Sequence, residues 1–599
     1  MPQLSAEFDI IFAGGGTAAC VIAGRLAAAD PSLTILVVEA GPHTLNNTTH
    51  TRPALFMNHM TPESKTMKFL VSNPSPFMGG KPAIVPAPQC VGGGSSLNFM
   101  MYNRVSASEY DDWETKFDNP GWGFCDLIPL LRKTETYESD VDAETHGSSG
   151  PLKVTWGGHF TNVSQDFLDV AAQYDKERGL TADTNDTTTV NRYGRFAKWI
   201  GSSGQRSDVP HHFIYNQKEN KNLCILAGYY IQHGLAVGVE YIPNLAVHPN
   251  AIPSESISAY ARKLVIVSGG SLGSPLILER SGIGASSVLQ KHGIKQIVDL
   301  PGVGERYQDH QVTVPVCRAS DESDTLDGIF RGDPDELAKW NAQWERDGTG
   351  LMASNGIDVG IKFRPTEDEV KAIGPAFQEK WKSYYVKSPD KPIYWSGIAS
   401  FFFGTSLPEP KQKYYGVATF LSHPSSLGHI HITSSEDPSA PPDFTPGYLE
   451  HEEDMEIHVF AYKRGREFAR RMACYRGEHP PQQPAFAKDS PAAVNEEPFP
   501  VGIDAPVIQY TQEDDEAIRN FVRQNVNTVW HALGTCAMMP RERGGVVDSR
   551  LNVYGVRGLK VADLSIAPIN VSANTYSTTL VIAEKAALII AEDLKISGV

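Results

Sequence analysis

The chain has 599 residues, of which 41% are hydrophobic, and a formal net charge of −17 at pH 7. This length predicts at least two domains with large cores. The acidic balance argues against a nucleic-acid partner or an anionic membrane surface, because both need clustered lysine and arginine. The sequence contains no run of about eighteen apolar residues, so we expect no membrane span.

The first predicted strand and the turn after it carry the sharpest local signal. Residues 8–13 are apolar and lead into Gly14, Gly15 and Gly16 before an alanine-rich helix, and a second apolar strand ends at Glu39. Gly14 permits a tight turn, Gly16 lets the backbone approach a pyrophosphate, and N–H groups at the helix start would bind it. Glu39 would accept hydrogen bonds from the adenosine ribose. This unit predicts a dinucleotide site, but it does not distinguish NAD from FAD.

The chain ends and the cysteines bear on localisation. The nucleotide-binding strand begins at residue 8, which leaves no room for a cleavable signal peptide, and the last three residues do not match a peroxisomal tripeptide. We therefore expect an intracellular, cytoplasmic protein and regard a peroxisomal one as less favoured. Seven widely spaced cysteines without a C-x-x-C pair predict neither a disulfide framework nor a metal site.

Two more glycine-bearing segments are expected to face a ligand. Residues 92–94 are consecutive glycines that lead into the apolar run 97–102. A flexible surface linker is the alternative, but glycines that enter a core favour the close approach of a flat ligand. Residues 263–268 form an apolar strand that ends at a double glycine, residues 269–270, and Pro275 suits the first turn of the helix that follows.

The composition changes between residues 316 and 515, where prolines are frequent and aromatic clusters occur. Residues 428–433 alternate like a half-exposed antiparallel strand, and residues 452–472 predict an amphipathic helix whose acidic residues come first. We expect a second domain here, built from an antiparallel sheet and helices. The glycine turn before it, at residues 302–310, is by itself interpreted as structural.

The last part of the chain resembles the first part in composition. Residues 513–526 and 578–591 predict helices, and residues 547–553 and 559–563 predict strand segments. A dinucleotide fold that is interrupted and then resumed at the chain end fits this arrangement.

These motifs together resemble those of the glucose–methanol–choline (GMC) oxidoreductases, an FAD-dependent family, over nearly the whole chain. The resemblance is carried by residues 14–16 with Glu39, 92–98, 268–275 with 281–284, 302–304 with 308–310, and by His531 and Asn574. Within the family, residues 99–102 and 541–548 are most similar to the fungal and yeast alcohol (methanol) oxidases.

The resemblance implies an α/β fold: a Rossmann-like FAD-binding domain of GMC type with an α+β substrate-binding domain built on an antiparallel sheet. The expected FAD-binding parts are residues 1–155, 205–315 and 525–599, and the expected substrate-binding parts are residues 156–204 and 316–524.

The implied reaction is oxidation of a primary alcohol to an aldehyde, with a hydride passing to flavin N5 and O2 giving hydrogen peroxide. Imidazole is a natural base for the hydroxyl proton, so His531 is the candidate base, although its local sequence alone would favour a structural histidine. Asn574 would position the substrate oxygen by a hydrogen bond. The candidate FAD contacts are Gly14, Gly16, Thr17, Glu39, Gly93, Ser96, Asn98, Ala562 and Asp563. The candidate substrate pocket is Phe99, Met101 and Trp530, and no metal is expected.

Two alternatives stay open. One is a GMC-type dehydrogenase that passes electrons to an acceptor other than oxygen, in a biosynthetic pathway. The other is a flavin-binding scaffold without turnover, against which the presence of both His531 and Asn574 argues. Residues 498–514 look shorter than in methanol oxidases, which puts strict methanol preference and an octamer in doubt and leaves room for a larger primary alcohol. A homo-oligomer is compatible with the sequence.

Overall fold

The fold is given by a computed structural model, which describes residues 7–45, 47–139, 145–188, 190–235, 237–252, 256–404 and 411–599. The helices in these ranges lie on both sheets and in the connections between them. The α-helices are Thr17–Ala29, Thr48–Thr51, Ala107–Thr115, Phe124–Thr134, Asn162–Tyr174, Ser274–Arg280, Ser286–Lys291, Asp327–Arg331, Pro334–Asp347, Glu367–Ile373, Pro375–Lys380, Glu452–Ala469, Gln512–Asn525 and Tyr576–Leu594. Short 3-10 or π segments cover Pro53–His59, Pro76–Met78, Gly93–Ser96, Pro210–Ile214, Tyr215–Gln217, Leu351–Ala353, Trp381–Tyr385, Pro480–Gln482, Arg541–Arg543 and Leu564–Ile566.

A seven-stranded sheet contains strands from both the N-terminal and the C-terminal parts of the chain. Its strands lie in the order Leu223–Ala227, Ile35–Glu39, Glu7–Ala13, Ile257–Val267, Gly238–Pro243 and Tyr229–Leu235, and Leu559–Val561 also pairs with Ile257–Val267. The pairs that join the strands ending at Ala13, Glu39, Val267 and Val561 are parallel. Because parallel strands end at the same edge of a sheet, the turns that follow these four residues meet there.

A second, eight-stranded sheet is antiparallel throughout. Its strands lie in the order Tyr475–Glu478, Val316–Ala319, Lys413–Leu421, Tyr394–Ala399, Val359–Phe363 and Tyr193–Arg195, with Gln311–Thr313 and Asn527–Thr528 attached through Lys413–Leu421. The smaller sheets pair Glu305–Tyr307, Gly428–His431 and Asp443–Thr445; Met67–Val71 and Ile84–Pro88; Glu135–Tyr137 and Leu152–Val154; and Ile283–Gly284 and Val298–Asp299. The predicted combination of a Rossmann-like sheet with an antiparallel sheet is confirmed.

The last helix joins the C-terminal segment to the N-terminal one. Tyr576–Leu594 packs against Thr17–Ala29, and most of its residues belong to the core that also contains the first two parallel strands. Its buried Glu584 carboxylate lies 2.6 Å from the guanidinium of Arg25. The predicted helices at 513–526, 452–472 and 578–591 are therefore confirmed within a few residues.

One predicted strand is wrong. Residues 547–553 form only isolated bridges, in which Val547 pairs with Met538 and Val553. The carboxylate of Asp548 accepts from the backbone N–H groups of Arg550 and Asn552, both at 2.9 Å. These local bonds turn the chain and compete with strand pairing.

The domain boundaries stay a prediction, and the sheets give one detail that bears on them. Gln311–Thr313 and Asn527–Thr528 belong to the antiparallel sheet, although the predicted boundaries assign both to the FAD-binding domain. Gln311 pairs with Thr528, and Gln308 bridges Leu533 in the same antiparallel sense. This two-stranded segment brings His310 and His531 to one place.

Candidate active site

An elongated cavity of about 420 Å³ runs from the ends of the parallel strands to the antiparallel sheet. Most of the predicted site residues line it: Gly14, Gly16, Thr17, Glu39, Gly93, Asn98, Asp563, Phe99, Met101, Trp530, His531 and Asn574. The structure does not place Ser96 or Ala562 in the wall. The hydroxyl of Ser96 is fully buried and donates to Asp208 Oδ2 at 3.0 Å, and the carbonyl of Ala562 accepts from Ser268 Oγ at 2.7 Å.

Backbone approaches that only glycine permits form the end of the cavity near the parallel strands. Gly14 has φ +114°, and a Cβ there would lie 2.3 Å from the Ser268 carbonyl oxygen. A Cβ on Gly93 would lie 2.9 Å from Gly16 Cα. Gly16 is the N-cap of Thr17–Ala29, and its lack of a side chain leaves the first N–H groups of that helix to a ligand.

Two carboxylates flank this end. Glu39 accepts from the N–H groups of Gly15 at 2.8 Å and Gly41 at 2.9 Å, and its side chain is almost fully buried. Burial raises its pKa to about 7, although these two hydrogen bonds oppose the shift. Asp563 accepts from Gly270 N at 2.8 Å and from Ser274 Oγ at 2.5 Å, and burial raises its pKa too. Each carboxylate therefore fixes the glycine turn beside it.

Thr17 and Asn98 are held by other segments of the wall. The Thr17 hydroxyl donates to the Gly92 carbonyl at 3.0 Å and accepts from Ser95 N at 3.1 Å, so it ties the first helix to the triple-glycine loop. Asn98 Oδ1 accepts from the buried guanidinium of Arg206 at 2.8 Å. Arg206 orients the Asn98 amide, and no hydrogen bond to another described residue uses Asn98 Nδ2.

The reacting end of the cavity is a chain of side-chain hydrogen bonds. His310 Nε2 lies 2.6 Å from the Val571 carbonyl, and His310 Nδ1 lies 2.7 Å from His531 Nδ1. A carbonyl can only accept, so His310 Nε2 donates, and Nδ1 of the neutral His310 must accept from His531 Nδ1–H. The remaining nitrogen of His531, Nε2, is then unprotonated and lies 3.2 Å from Asn574 Nδ2.

His310 and His531, the two histidines of this hydrogen-bond chain, are neutral near pH 7. Burial lowers the pKa of His531 well below its ordinary value, and the neighbouring His310 lowers it further. Burial also lowers the pKa of His310 to about 4, although its bond to Val571 opposes the shift. His531 Nε2 is therefore available as a base at the cavity wall.

Asn574 and the backbone of His531 are fixed by groups behind the wall. Asn574 Oδ1 accepts from Asn103 Nδ2 at 2.6 Å, which turns its NH2 group toward His531. The buried Asp309 accepts from the N–H groups of His310 at 2.8 Å and His531 at 3.0 Å, and from the Tyr448 hydroxyl at 2.8 Å. The Asp309 carboxylate thus holds both histidines by their backbone.

Aromatic side chains surround the reacting end. The Phe99 ring lies 4.1 Å from Phe56 and 4.8 Å from Trp530, centroid to centroid. Trp530 has φ 62°, a strained conformation for a bulky residue, and its backbone N–H donates to Thr528 Oγ1 at 2.7 Å. Phe420 lies 5.8 Å from the His531 ring. None of the elements that carry these aromatic side chains contributes a charged residue to the cavity wall. Its charged residues are Glu39, Lys68, Arg280 and Asp563.

Sequence reasoning missed His310, Asp309 and Asn103. Residues 308–310 were interpreted as a structural turn, and nothing local marks His310 as the partner of a histidine 221 positions away. The alternation of residues 311–313 and 527–528 is too short to predict their pairing. Only the antiparallel register assigns His310 its place.

The fold and the cavity define the class: a nucleotide-binding fold whose cavity ends at a buried histidine pair with aromatic neighbours. The GMC oxidoreductase models for the N-terminal and C-terminal parts match residues 8–312 and 424–583. The chain is 41% identical to the alcohol oxidase of Candida boidinii and 40% identical to alcohol oxidase 1 of Komagataella phaffii, over 99% of this chain and 96% of each relative. The chain belongs to the GMC oxidoreductase family, and the resemblance stated from the sequence is confirmed.

Solved structures share the fold at low identity. An Aspergillus oryzae formate oxidase variant has a TM-score of 0.81 at 22% identity, covering 98% of this chain and 99% of its own. A fungal aryl-alcohol oxidase has a TM-score of 0.75 at 22% identity, covering 99% and 100%. Within the residues that the structure describes, no helix has both the length and the apolar character to cross a membrane. The same residues contain no group of three or more His, Cys, Asp or Glu side chains that could hold a metal ion.

Proposed function

We propose that this protein is an FAD-dependent alcohol oxidase, which converts a primary alcohol and O2 into an aldehyde and hydrogen peroxide. The observation that carries this proposal is the hydrogen-bond chain that leaves His531 Nε2 unprotonated beside Asn574 at the cavity wall. The identity of about 40% to yeast alcohol oxidases over nearly the whole chain supports the same reaction.

The residues of the cavity fit FAD. At Gly14 and Gly93, backbone segments approach each other more closely than any side chain would allow. Gly270 faces open space in the cavity, because a Cβ there would meet no atom within 4 Å. The N–H groups at the start of Thr17–Ala29 would bind the diphosphate, and Glu39 has acceptor capacity left for the ribose. When bound, FAD supplies the acceptor for the hydride of the alcohol carbon.

The described side chains account for the proton. A substrate oxygen that enters between Asn574 and His531 accepts a hydrogen bond from Asn574 Nδ2 and presents its own hydroxyl proton to His531 Nε2. The O–H bond breaks and the Nε2–H bond forms, which gives a transient imidazolium at His531. Its Nδ1–H already points at His310 Nδ1, so the new charge is shared by the pair.

The wall around the base favours an uncharged, apolar alcohol. Phe99, Trp530 and Phe420 lie at this end. The charged lining residues belong to the turns of the parallel sheet, to the strand pair Met67–Val71 and Ile84–Pro88, and to the helix Ser274–Arg280. A charged or sugar-like substrate would leave polar groups unpaired there. The Phe99 ring, fixed between Phe56 and Trp530, would limit the length of the alcohol.

Anaerobic flavin reduction tests the proposal. The purified protein is mixed without oxygen with methanol, longer aliphatic alcohols or benzylic alcohols, the flavin absorbance is followed, and air is then admitted. Bleaching by one class followed by rapid recovery in air is the expected result and identifies the substrate class. Bleaching without recovery would instead indicate a dehydrogenase with another acceptor, and no bleaching by any alcohol would favour a silent flavin-binding scaffold.

Assembly and localisation are part of the proposal. The acidic chain without clustered basic residues supports a small-molecule enzyme with no nucleic-acid partner, and a homo-oligomer is compatible with it. A cytoplasmic location stays a proposal. Light scattering on the purified protein tests the assembly, and cell fractionation with a peroxisomal marker tests the location.

A further inference from the structure

A buried carboxylate behind the histidine pair has no role in the mechanism above. Glu109 lies in the helix Ala107–Thr115 and is 1% exposed. Its Oε2 accepts from the backbone N–H of Ser572 at 2.9 Å, and its Oε1 lies 2.9 Å from His423 Nε2. Neither Glu109 nor His423 lines the cavity.

One peptide group connects Glu109 to His310. The carbonyl of Val571 accepts from His310 Nε2–H at 2.6 Å, and the N–H of Ser572 in the same amide donates to Glu109. A negative charge at the N–H end of an amide increases the electron density on its carbonyl oxygen, so the two hydrogen bonds strengthen each other. The chain therefore runs from His531 through His310 and this peptide to Glu109.

Among the described residues, no lysine or arginine forms a salt bridge with Glu109. Burial alone would raise the pKa of Glu109, but the attraction to His423 and the hydrogen bonds from His423 and Ser572 outweigh burial and lower it below the ordinary value. Burial lowers the pKa of His423 despite the neighbouring carboxylate, and the Tyr385 hydroxyl 3.3 Å from His423 Nδ1 can donate to it, so a neutral His423 with its proton on Nε2 fits both neighbours. The neighbouring lysines have other partners: Lys391 pairs with Asp112, and Lys380 lies 3.7 Å from Asp454. Burial lowers the pKa of Lys362, although the charge of Glu109 opposes the shift, and the Lys362 ammonium donates to the Arg104 carbonyl at 2.7 Å.

We propose that Glu109 is a positioning residue for alcohol oxidation, which acts through the Val571–Ser572 peptide to hold the His310 tautomer and to stabilise the positive charge that the histidine pair gains. This inference rests on the proposed function for the reaction itself. The hydrogen-bond chain itself exists without substrate, so that part of the inference does not depend on the proposed function.

The proton count shows where that charge goes. His531 Nε2 takes the hydroxyl proton, and the Nδ1 proton of His531 can pass to His310 Nδ1 across 2.7 Å. His531 is then neutral with its proton on Nε2, and His310 is the imidazolium, one residue closer to Glu109. His310 Nε2–H keeps its bond to Val571 throughout. After aldehyde release, the proton on His310 Nδ1 returns to His531 Nδ1 and the single proton taken from the alcohol leaves His531 Nε2 for solvent, which restores the starting tautomers.

The variant Glu109→Gln removes the charge and keeps the shape. We expect flavin reduction to slow by about three- to tenfold, because loss of a nearby opposite charge weakens the base by about one pKa unit or more. A weaker base depends more on the acidity of the alcohol. The slowing should therefore be largest for the shortest alcohol that reduces the wild type and smaller for its mono- and difluorinated analogues. Equal slowing for the whole series would indicate a merely structural role and would overturn the proposal.

Two variants control this experiment. Glu109→Asp keeps the charge but moves the carboxylate away from the Ser572 N–H, because the side chain is one methylene shorter. It should therefore slow reduction less than Glu109→Gln, with the same dependence on alcohol acidity. It carries the test if Glu109→Gln does not fold. Glu135→Gln is the control for a buried carboxylate away from the histidine pair, because Glu135 is also 1% exposed, accepts from the Gly147 N–H at 3.0 Å and lies 3.6 Å from His146; unlike Glu109, it pairs with Arg104 at 2.6 Å. Slowing by Glu135→Gln with the same acidity dependence would contradict the assignment to Glu109.

A measurement without substrate separates this inference from the proposed function. In histidine-labelled holoenzyme, the His310 Nε2 proton resonance is identified as the signal that His310→Asn removes. We expect this resonance to move upfield in Glu109→Gln, since its bond to the Val571 carbonyl weakens. An unchanged resonance would overturn the role of Glu109, even if alcohols reduce the wild-type flavin. A shifted resonance in a protein that no alcohol reduces would support the hydrogen-bond chain and reject the proposed reaction.

Discussion

The two ends of the cavity are built by different means. The nucleotide end is made of backbone: glycines at the ends of parallel strands, the start of one helix, and two carboxylates that hold the adjacent turns. The reacting end is made of side chains that meet from distant parts of the chain, His531 with His310 across 221 positions and Asn574 with Asn103 across 471. Each part of the first kind of site is a short contiguous motif, although Asp563 holds Gly270 across 293 positions, whereas the second kind depends on strand pairing.

This difference predicts different consequences of mutation. A side chain added at the nucleotide end collides with backbone that cannot move, so both folding and cofactor binding suffer. A side chain removed at the reacting end leaves the backbone bonds of Asp309 in place, so the protein folds and loses only chemistry.

Substitution of the base has the largest expected effect. His531→Ala should keep FAD, because the backbone N–H of residue 531 still donates to Asp309. Flavin reduction by alcohol should slow by about 10²- to 10⁴-fold, the usual contribution of a general base. Stopped-flow absorbance under nitrogen measures the rate, and the flavin-to-protein absorbance ratio measures retention. His451→Ala, a change on the surface, is the control, and a near-normal rate in His531→Ala would remove His531 from the mechanism.

The next effect tests the nucleotide end. Gly14→Ala places a Cβ 2.3 Å from the Ser268 carbonyl oxygen at φ +114°, where L-residues are strained by about 1–3 kcal/mol before the collision is counted. We expect the FAD content of the purified protein to fall more than about tenfold, with a lower melting temperature. Gly502→Ala is the matched control, because a Cβ there meets no atom within 4 Å. Equal FAD content in the two variants would show that this turn is not the cofactor site.

His310 tests whether the reacting end works as a chain or as a single residue. His310→Ala leaves the buried His531 Nδ1–H without an acceptor, which costs about 1–3 kcal/mol and frees the imidazole to change tautomer. We expect reduction to slow by about ten- to hundredfold with FAD retained. His310→Asn returns an acceptor oxygen near the position of Nδ1 and should recover part of the rate. If both variants reduce at the wild-type rate, His310 does not position the base.

The sequence predicted the nucleotide end well because its signals are local. Gly14, Gly16, Glu39 and the turn at residues 268–275 each follow an apolar strand, and the structure places all of them at one edge of the parallel sheet. Ser96 stays a predicted FAD contact, but the 3-10 turn at Gly93–Ser96 directs its hydroxyl inward to Asp208 and not into the cavity. His310, Asp309 and Asn103 could not be predicted, because their roles arise from antiparallel pairing and from hydrogen bonds between segments.

A smaller effect is expected at the aromatic wall of the reacting end. Phe99→Ser removes a ring that packs 4.1 Å from Phe56 and 4.8 Å from Trp530. The ratio of kcat/KM for a longer alcohol to that for a shorter one should rise about tenfold, the scale of one or two methylene groups in an apolar pocket. Phe77→Ser, at an exposed position, is the control. An unchanged ratio across chain lengths would mean that Phe99 does not limit substrate length.

The smallest effect is a pH dependence at Glu39. Burial raises its pKa from 4.5 to about 7 against the N–H donors of Gly15 and Gly41. Between these two values the folded protein keeps a proton that the unfolded chain has lost, so this carboxyl lowers stability as the pH rises through that window. Its full effect is about 3 kcal/mol, which in a chain of this size corresponds to a melting-temperature change of about 2 °C.

Glu39→Gln has no such proton to lose. In flavin-free protein, the melting temperature of the variant relative to the wild type should therefore rise by about 2 °C between pH 5 and pH 7, whereas the exposed control Glu63→Gln should show no such trend. Differential scanning calorimetry at the two pH values measures it. A relative melting temperature that does not change between these pH values would mean that Glu39 is ionised in the folded protein throughout. The two backbone N–H donors would then outweigh burial, and the nucleotide end would carry a permanent negative charge beside its glycine turn.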